Sequence, residues 1–364
     1  MTGDSRRAEG EQLFLMDYGS IDKRMTSLFS PIIYPEYEVH FLGVGDADAI
    51  IIYYKENANS PSYIALIDAG NVSDYKTIKD FLWSRWRTRT IDLAVCTHPD
   101  KDHKGGFFGL LADKDMTIYE FWCKDPYQSI TDEDFAKMKL KSSKLDACRK
   151  IYNHPDNSNE NLIDLVIKKC KKSLDVAPGY TYPNIPLYVI GPSKNLYHEA
   201  ALGIVQEFAE LVDEPNLKRY DEKAEVDEDS AKSIINEVDD CSYTNIGSLV
   251  LLFKPTDKFK LLLTGDASCS SLREILDRNP SIKGSILKVP HHGSRRNLNT
   301  DLIDDLSPTA AVICADGNEK HPNNSIVYYL SKYGNVYSTH KSPGLYYTSQ
   351  PHTGCATPLK SKIK

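Results

Sequence analysis

Two runs, "IDLAVCT" (91–97) and "SILKVP" (285–290), are built almost wholly of apolar residues at successive positions, and each spills directly into histidines. A strand that is apolar on both faces needs a cover on both, so these runs read as buried strands of a layered α/β fold. What precedes them also matches. "YEVHFLGV" and "DAIIIYYK" read as a hairpin turning at "GDADA", "SYIALIDAG" as a third strand ending at Asp68, and "SDYKTIKDFLWSRW" as a helix behind a Ser73 cap. In the second half "NIGSLVLLFK" and "KFKLLLTGD" are strands joined by "PTD", the latter ending at Asp266, and "SSLREILDR" is the helix. Hairpin strands, a strand ending in aspartate, a helix and a strand ending in histidines occur in that order twice, which makes an internal pseudo-repeat.

Residues 1–34 show little periodicity and are expected to form an irregular arm in which "SLFSPIIYP" can pack on the core; residues 35–364 are expected to form one domain. Between the halves, residues 124–240 break the pattern and read as a mainly helical insertion. "TDEDFAKMKLKSSKLDACRKIY", "NENLIDLVIKKCKKSL" and "HEAALGIVQEFAELV" are its helices, "PLYVIGP" a strand and "DEKAEVDEDS" an acidic solvated loop. After residue 308 come the strand "TAAVICA", the helix "NSIVYYLSKYG" and two closing strands, "NVYSTH" and "GLYYTS".

A net charge of −7 argues against a broad basic face for duplex nucleic acid, so a polyanion would have to be bound locally. The sequence has no stretch of the roughly 20 apolar residues a membrane span needs, and "MTGDSRRAEGEQLF" is too polar for a signal peptide. A cytoplasmic protein with no membrane partner is expected. The eight cysteines form no C-x-x-C pair, and Cys96 and Cys314 sit in strand-like runs as core thiols.

The stretch "CTHPDKDHKGG" places His98, Asp100, Asp102 and His103 within six positions at the end of a buried strand. Unpaired charge there would cost several kcal/mol, and a divalent cation removes that cost. Gly105 and Gly106 are expected to let the loop turn sharply into a helix, so alternate side chains can face different ways and one loop can serve two metals. Asp68, Asp266, His291 and His292 also follow strand ends, which gather along one rim of such a sheet.

"THPDKDHKGG" resembles the H-x-D-x-D-H form of the metallo-β-lactamase superfamily signature, with Asp100 where most members carry a second histidine. With "FLGVGDADAIII", "LIDAG", "LLTGDA", "LKVPHHGS" and "ICADGNEKHP" in the same order over residues 38–348, the chain is similar to the hydrolase domain of ComEC-type competence proteins. The resemblance implies an αββα sandwich, a metallo-β-lactamase-like fold with two facing mixed β-sheets, helices outside and a dinuclear site at the sheet edge. It implies that His98 and Asp100 hold one metal, Asp102 and His103 the other, and that Asp266 bridges both. His292 completes the second set, and His291 contacts substrate or moves a proton. Zinc is the expected metal; the oxygen-rich set makes manganese the second choice.

The implied activity is hydrolysis of a phosphodiester in nucleic acid or a nucleotide by attack of a metal-bridging hydroxide. Asp102 or Asp266 steers the attack, and His291 or His321 protonates the leaving oxygen. Arg295 and Arg296 after "HHGS" are expected to grip phosphate, while Asp68 and Asp48 are expected to orient ligands from behind. Three departures from the family pattern stand out. Asp46-Ala47 replaces a usual Gln-Gly; the further histidine ligand between the halves has only His154 and His198 as candidates; and two arginines follow the second histidine motif. The lysines of "IKKCKKSL" read as a solvated helix face, and His40, His340 and His352 receive no role. Two other readings compete: hydrolysis of a carboxylic ester or amide such as a lactone, thioester or β-lactam, and a protein-interaction module with a residual metal site that meets its partner through the insertion.

Overall fold

Alternation along each strand decides how the layers stack. The computed structural model describes residues 14–15, 33–210, 221–237, 242–341, 344–351 and 356–363, so all but the last three residues of "SLFSPIIYP" and most of the N-terminal arm lie outside the described residues. In chain order the first part runs β1 (Phe14–Leu15), β2 (Glu36–Leu42), β3 (Ile50–Lys55), β4 (Tyr63–Ile67), α1 (Tyr75–Trp86), β5 (Thr90–Val95), α2 (Lys101–Ala112) and β6 (Thr117–Cys123). The middle part is α3 (Pro126–Ser129), α4 (Asp132–Lys137), α5 (Lys144–Ile151), β7 (Asn153–His154), β8 (Asn157–Asn161), α6 (Leu162–Lys169), β9 (Lys172–Asp175), β10 (Leu187–Gly191), α7 (Lys194–Glu210) and α8 (Glu228–Asn236). The last part is α9 (Tyr243–Ile246), β11 (Val250–Phe253), β12 (Leu261–Leu263), α10 (Cys269–Arg278), β13 (Ile286–Lys288), α11 (Thr300–Leu306), β14 (Ala310–Ile313), α12 (Asn324–Leu330), β15 (Asn335–Ser338) and β16 (Gly344–Thr348).

One sheet has the order β1-β16-β2-β3-β4-β5-β6-β9 and the other β10-β11-β12-β13-β14-β15. In the first, β2, β3 and β4 pair antiparallel while β4, β5, β6 and β9 are parallel; in the second, β10, β11 and β12 are antiparallel and β12 to β15 parallel. The pseudo-repeat is therefore topological as well as sequential. Val39, Phe41, Ile52, Ile67, Leu93 and Val95 meet Leu251, Phe253, Leu261, Leu263 and Val312 between the sheets. The alternate residues Leu66, Ala94 and Cys96 pack outward on Ile78, Leu82 and Phe107 of α1 and α2. Leu262, Leu287 and Ile313 pack outward on Leu272, Ile275, Leu302 and Ile326 of α10 to α12. This is an αββα sandwich of two facing mixed sheets with helices outside, and its strands are apolar on both faces because each face is covered.

The middle segment departs from the sequence reading in three places. The first long helix breaks into α4 and α5, because Lys139 adopts φ 54° and the Ser143 hydroxyl caps a new start at Asp146 N–H (3.1 Å). The end of "IKKCKKSL" is not helix face but β9, which extends the first sheet beside β6, just as β10 extends the second beside β11. "DEKAEVDEDS" is not a free acidic loop: Asp227 caps α8 and Glu222 reaches Arg295. Among the described residues no helix is long and apolar enough to cross a membrane, and Cys96 and Cys314 are buried free thiols.

Candidate metal centre

The parallel strands deliver their carboxyl ends to one rim. Asp68 N–H donates to Val95 O (2.8 Å), and Leu249 N–H donates to Thr97 O (2.9 Å), which joins the two sheets where β5 ends. Asp68, Gly265, His291 and His292 all have positive φ (56°, 51°, 47° and 53°). Non-glycine residues rarely occupy this left-handed region, and its concentration at one rim means that packing holds these turns in place. The helix α2 begins at Lys101 with Asp100 as its N-cap, so Asp102 and His103 lie already in its first turn. Gly105 and Gly106 are inside that helix and make no sharp turn. A Cβ on Gly106 would lie 2.0 Å from Ala69 O and one on Gly105 2.5 Å from Val72 N, so these glycines serve the close approach of α2 to the loop after β4.

Three imidazoles surround one carboxylate oxygen. Asp266 Oδ2 is 3.4 Å from His103 Nε2, 3.8 Å from His98 Nε2 and 3.9 Å from His292 Nε2. Asp102 Oδ2 is 3.1 Å from His292 Nε2 and 3.9 Å from His103 Nε2. Among the described residues three groups have ligand atoms within 4.8 Å of one another: His98–His103–Asp266 and Asp102–His103–His292 at the rim, and Asp48–Asp68–His103 behind them. Asp100 stands at the edge, 3.6 Å from His98 Nε2 with 38% of its side chain exposed.

The other ring nitrogens are already engaged. Asp68 takes hydrogen bonds from Thr97 N–H (2.7 Å), the Thr97 hydroxyl (2.7 Å) and His103 Nδ1–H (2.8 Å). His292 Nδ1–H donates to Cys314 O (2.8 Å), and His98 Nδ1–H to Thr97 Oγ1 (3.0 Å). With Nδ1 engaged outward, each Nε2 faces the carboxylates, where it carries a proton or, once that proton is lost, offers a lone pair to an ion. His98 Nε2 and His103 Nε2 are buried without a hydrogen-bond partner among the described residues. Buried imidazole nitrogens converging on a carboxylate suit a divalent cation, which would displace the protons they otherwise hold.

The electrostatics point the same way. Burial alone would push Asp266 and Asp102 up. Against it, His103, His291 and His292 hold Asp266 well below the usual carboxylate range, and the His292 hydrogen bond with the His103 charge holds Asp102 low. Conversely, although burial opposes it, Asp266 and Asp68 hold His103 well above the usual histidine range. These carboxylates demand positive charge between them.

His291 belongs to the same rim. Its N–H donates to Asp266 Oδ1 (3.1 Å), and its Nδ1 lies 3.2 Å from both Asn245 Nδ2 and Asn297 Oδ1. The His321 ring lies 5.7 Å from that of His291, and burial, followed by His292 and His291, pulls its pKa down to about 4. Arg295 does not reach out as expected: it is 2% exposed and pairs with Glu222 (3.4 Å), leaving Arg296 as the partly exposed member of the two. His154 packs edge-on against Phe108, and His198 bonds Ser129 O, so neither joins the centre. Asp46 takes Asp316 N–H (2.6 Å) and Asn318 Nδ2 (2.5 Å), tying the first turn to the loop that carries His321.

The residue that sequence reasoning missed is Lys288. Its fully buried ammonium is in close contact with Asp48, lies 3.7 Å from Asp266 Oδ1 and donates to Gly265 O (3.0 Å). A lysine inside the apolar run "SILKVP" was the available signal. Asn245, Asn297 and Glu222 carried none.

No family model matches the chain. Over 99 residues, 27% of this chain and 13% of the relative's length, it is 33% identical to ComE operon protein 3 of Bacillus subtilis (strain 168). Among solved structures it is similar to MEM-A1, a subclass B3 metallo-beta-lactamase isolated from a soil metagenome library, with a TM-score of 0.33 and 12% identity over 83% of this chain and 91% of that one.

Proposed function

From a chain of metallo-β-lactamase-like architecture that resembles ComEC-type proteins, we propose a dinuclear metal-dependent hydrolase that cleaves a phosphodiester in nucleic acid or a nucleotide. The observation that carries the reading is Asp266 Oδ2, set within 3.9 Å of three inward-facing imidazole nitrogens. His98 and Asp100 would hold one ion and Asp102, His103 and His292 the other, with Asp266 common to both. Divalent ions there, zinc first and manganese second, supply Lewis acidity and a water acidic enough to react near neutral pH.

The chain's own groups do the rest. Asp68 and Cys314 O keep His103 and His292 in the tautomer that leaves Nε2 unprotonated. Asp102 and Asp266 are acceptors for the proton lost by the attacking water. His291, held by Asn245 and Asn297, is the proton donor to the leaving oxygen; His321 beside it, with its pKa pulled down to about 4, is neutral near pH 7 and accepts or passes on a proton. The domain extends over residues 35–364, with 124–240 inserted.

Metal-loaded protein incubated with bis(4-nitrophenyl) phosphate, single-stranded DNA, RNA and cyclic nucleotides should cleave at least one of them. Turnover of a lactone, thioester or β-lactam alone would replace the phosphodiester reading, and failure to bind about one ion per chain under replete conditions would favour an interaction module.

A further inference from the structure

With Arg295 turned inward onto Glu222, exposed positive charge next to the centre includes Lys101 at the start of α2. Lys101, between Asp100 and Asp102, lines a cavity of about 450 Å³ together with Ser73, Tyr75, Lys76, Pro155 and Asp156. The cavity adjoins the loops that carry the candidate ligands. Ala69 N–H donates to His103 O (2.8 Å) and Gly106 N–H to Gly70 O (3.2 Å), while Gly105 lies against Val72. The opposite wall comes from the inserted segment. Pro155 and Asp156 form the turn between β7 and β8, and the preceding His154 ring meets Phe108 of α2 at 4.5 Å.

Two ammonium groups, a hydroxyl and a tyrosine ring outweigh the one carboxylate in this lining, in a chain whose net charge is −7. The ring of Tyr75 is backed by Gly109 of α2, where a Cβ would come within 2.3 Å of it, and Lys76 Nζ lies 5.9 Å from the ring centroid. Cations beside an aromatic ring suit a phosphate with its attached base, and the volume suits a single nucleotide unit better than a double helix. We infer that this cleft, walled by the insertion, seats a single-stranded nucleic-acid segment next to the bond cut at the centre, with backbone phosphate on Lys76 and Lys101 and a base against Tyr75. The inference rests on the phosphodiester reading and assigns its substrate to polymeric single strands.

The test measures binding of a fluorescent phosphorothioate single strand of about 12 nucleotides to the metal-loaded full chain as salt is varied. Reversal of both lysines, Lys76→Glu with Lys101→Glu, should weaken binding at least about tenfold and lower the slope of log affinity against log salt by roughly 0.7 per lysine. Asp156→Lys should tighten it roughly threefold, and Lys114→Glu near the far end of α2 should leave it unchanged. Unchanged affinity in the double variant, equal affinity for a duplex, or equal affinity for a mononucleotide would each overturn the cleft. Turnover of bis(4-nitrophenyl) phosphate separates the two claims: its absence in the parent protein defeats the phosphodiester reading, whereas its presence with unaltered strand binding in the double variant defeats only the cleft.

Discussion

The first sheet carries two buried groupings of histidine with carboxylate, and only one of them asks for an ion. On the outer face, Glu38 accepts from Arg85 Nε (2.9 Å) and Nη2 (2.5 Å) and lies 2.7 Å from His40 Nε2. The rings of Phe81, Trp86 and Tyr346 close around His40 at 4.9, 5.4 and 5.1 Å. One carboxylate there meets one permanent cation, and aromatic rings fill the remaining space. At the rim stand Asp48, Asp68, Asp102 and Asp266, of which the buried ammonium of Lys288 meets Asp48 and Asp266, and two imidazole nitrogens point inward without a partner among the described residues. Histidine beside carboxylate is thus no sign of a metal site by itself. A deficit of fixed positive charge, combined with imidazole nitrogens aimed at it, is.

The sharpest way to break that contrast is to remove the shared oxygen. Asp266→Asn should lower turnover of bis(4-nitrophenyl) phosphate by about a thousandfold or more and reduce bound metal, whereas Glu38→Gln in the same assay should stay within about twofold of the parent. Comparable losses in the two variants would mean that both groupings act only through folding. Next comes Lys288→Met, which leaves Asp48 buried without its cation. Breaking such a pair costs about 3–5 kcal/mol, to be read from urea unfolding in chelator. Added zinc should recover part of the loss, because ions at the rim restore positive charge near Asp48 and Asp266. An equal loss with and without metal would place Lys288 outside the electrostatics of the centre.

What was legible in the sequence divides along the same line. Strands apolar on both faces, the repeated order of elements and the aspartates and histidines at strand ends are local signals, and they led to the layered fold and to the residues now found around Asp266. Lys288 was overlooked because a single polar residue in an apolar run has no periodicity to betray its partner, which lies in "GDADA" far away in sequence. Arg295 was expected to face outward because its partner, Glu222, sits in a segment whose acidic composition reads as solvated. The break at Lys139 and the strand at 172–175 were hidden for a different reason: short polar segments take their conformation from neighbours such as β6, and propensity is a weak guide there.

The closed grouping makes a pH prediction of its own. Burial would raise Glu38, but the His40 hydrogen bond and the Arg85 guanidinium bring it down to about 2 from an ordinary 4.5. A carboxylate whose folded pKa lies below its unfolded one stabilises fully above the unfolded value and loses that contribution as pH falls toward the folded one. Glu38→Gln should therefore cost on the order of 2–3 kcal/mol at pH 7, and the difference from the parent should shrink between pH 4.5 and about 2. A difference that stayed constant across that window in urea titrations would assign the effect to packing and not to charge.

The smallest effect belongs to the rim's outer ion pair. Glu222 is 24% exposed on its side chain and holds Arg295 Nε at 3.4 Å while accepting from Asn323 Nδ2 (2.5 Å). The contact is long and Gln keeps an acceptor oxygen for the buried guanidinium, so Glu222→Gln should cost about 1–2 kcal/mol, below the loss in Glu38→Gln at neutral pH. It should also free the guanidinium that the inserted segment now holds inward, so affinity for a single strand should rise severalfold where loss of a merely structural contact would leave it flat or lower. A stability loss larger than that of Glu38→Gln, with no gain in strand binding, would show that the insertion braces the rim and that Arg295 has no electrostatic part to play toward a substrate.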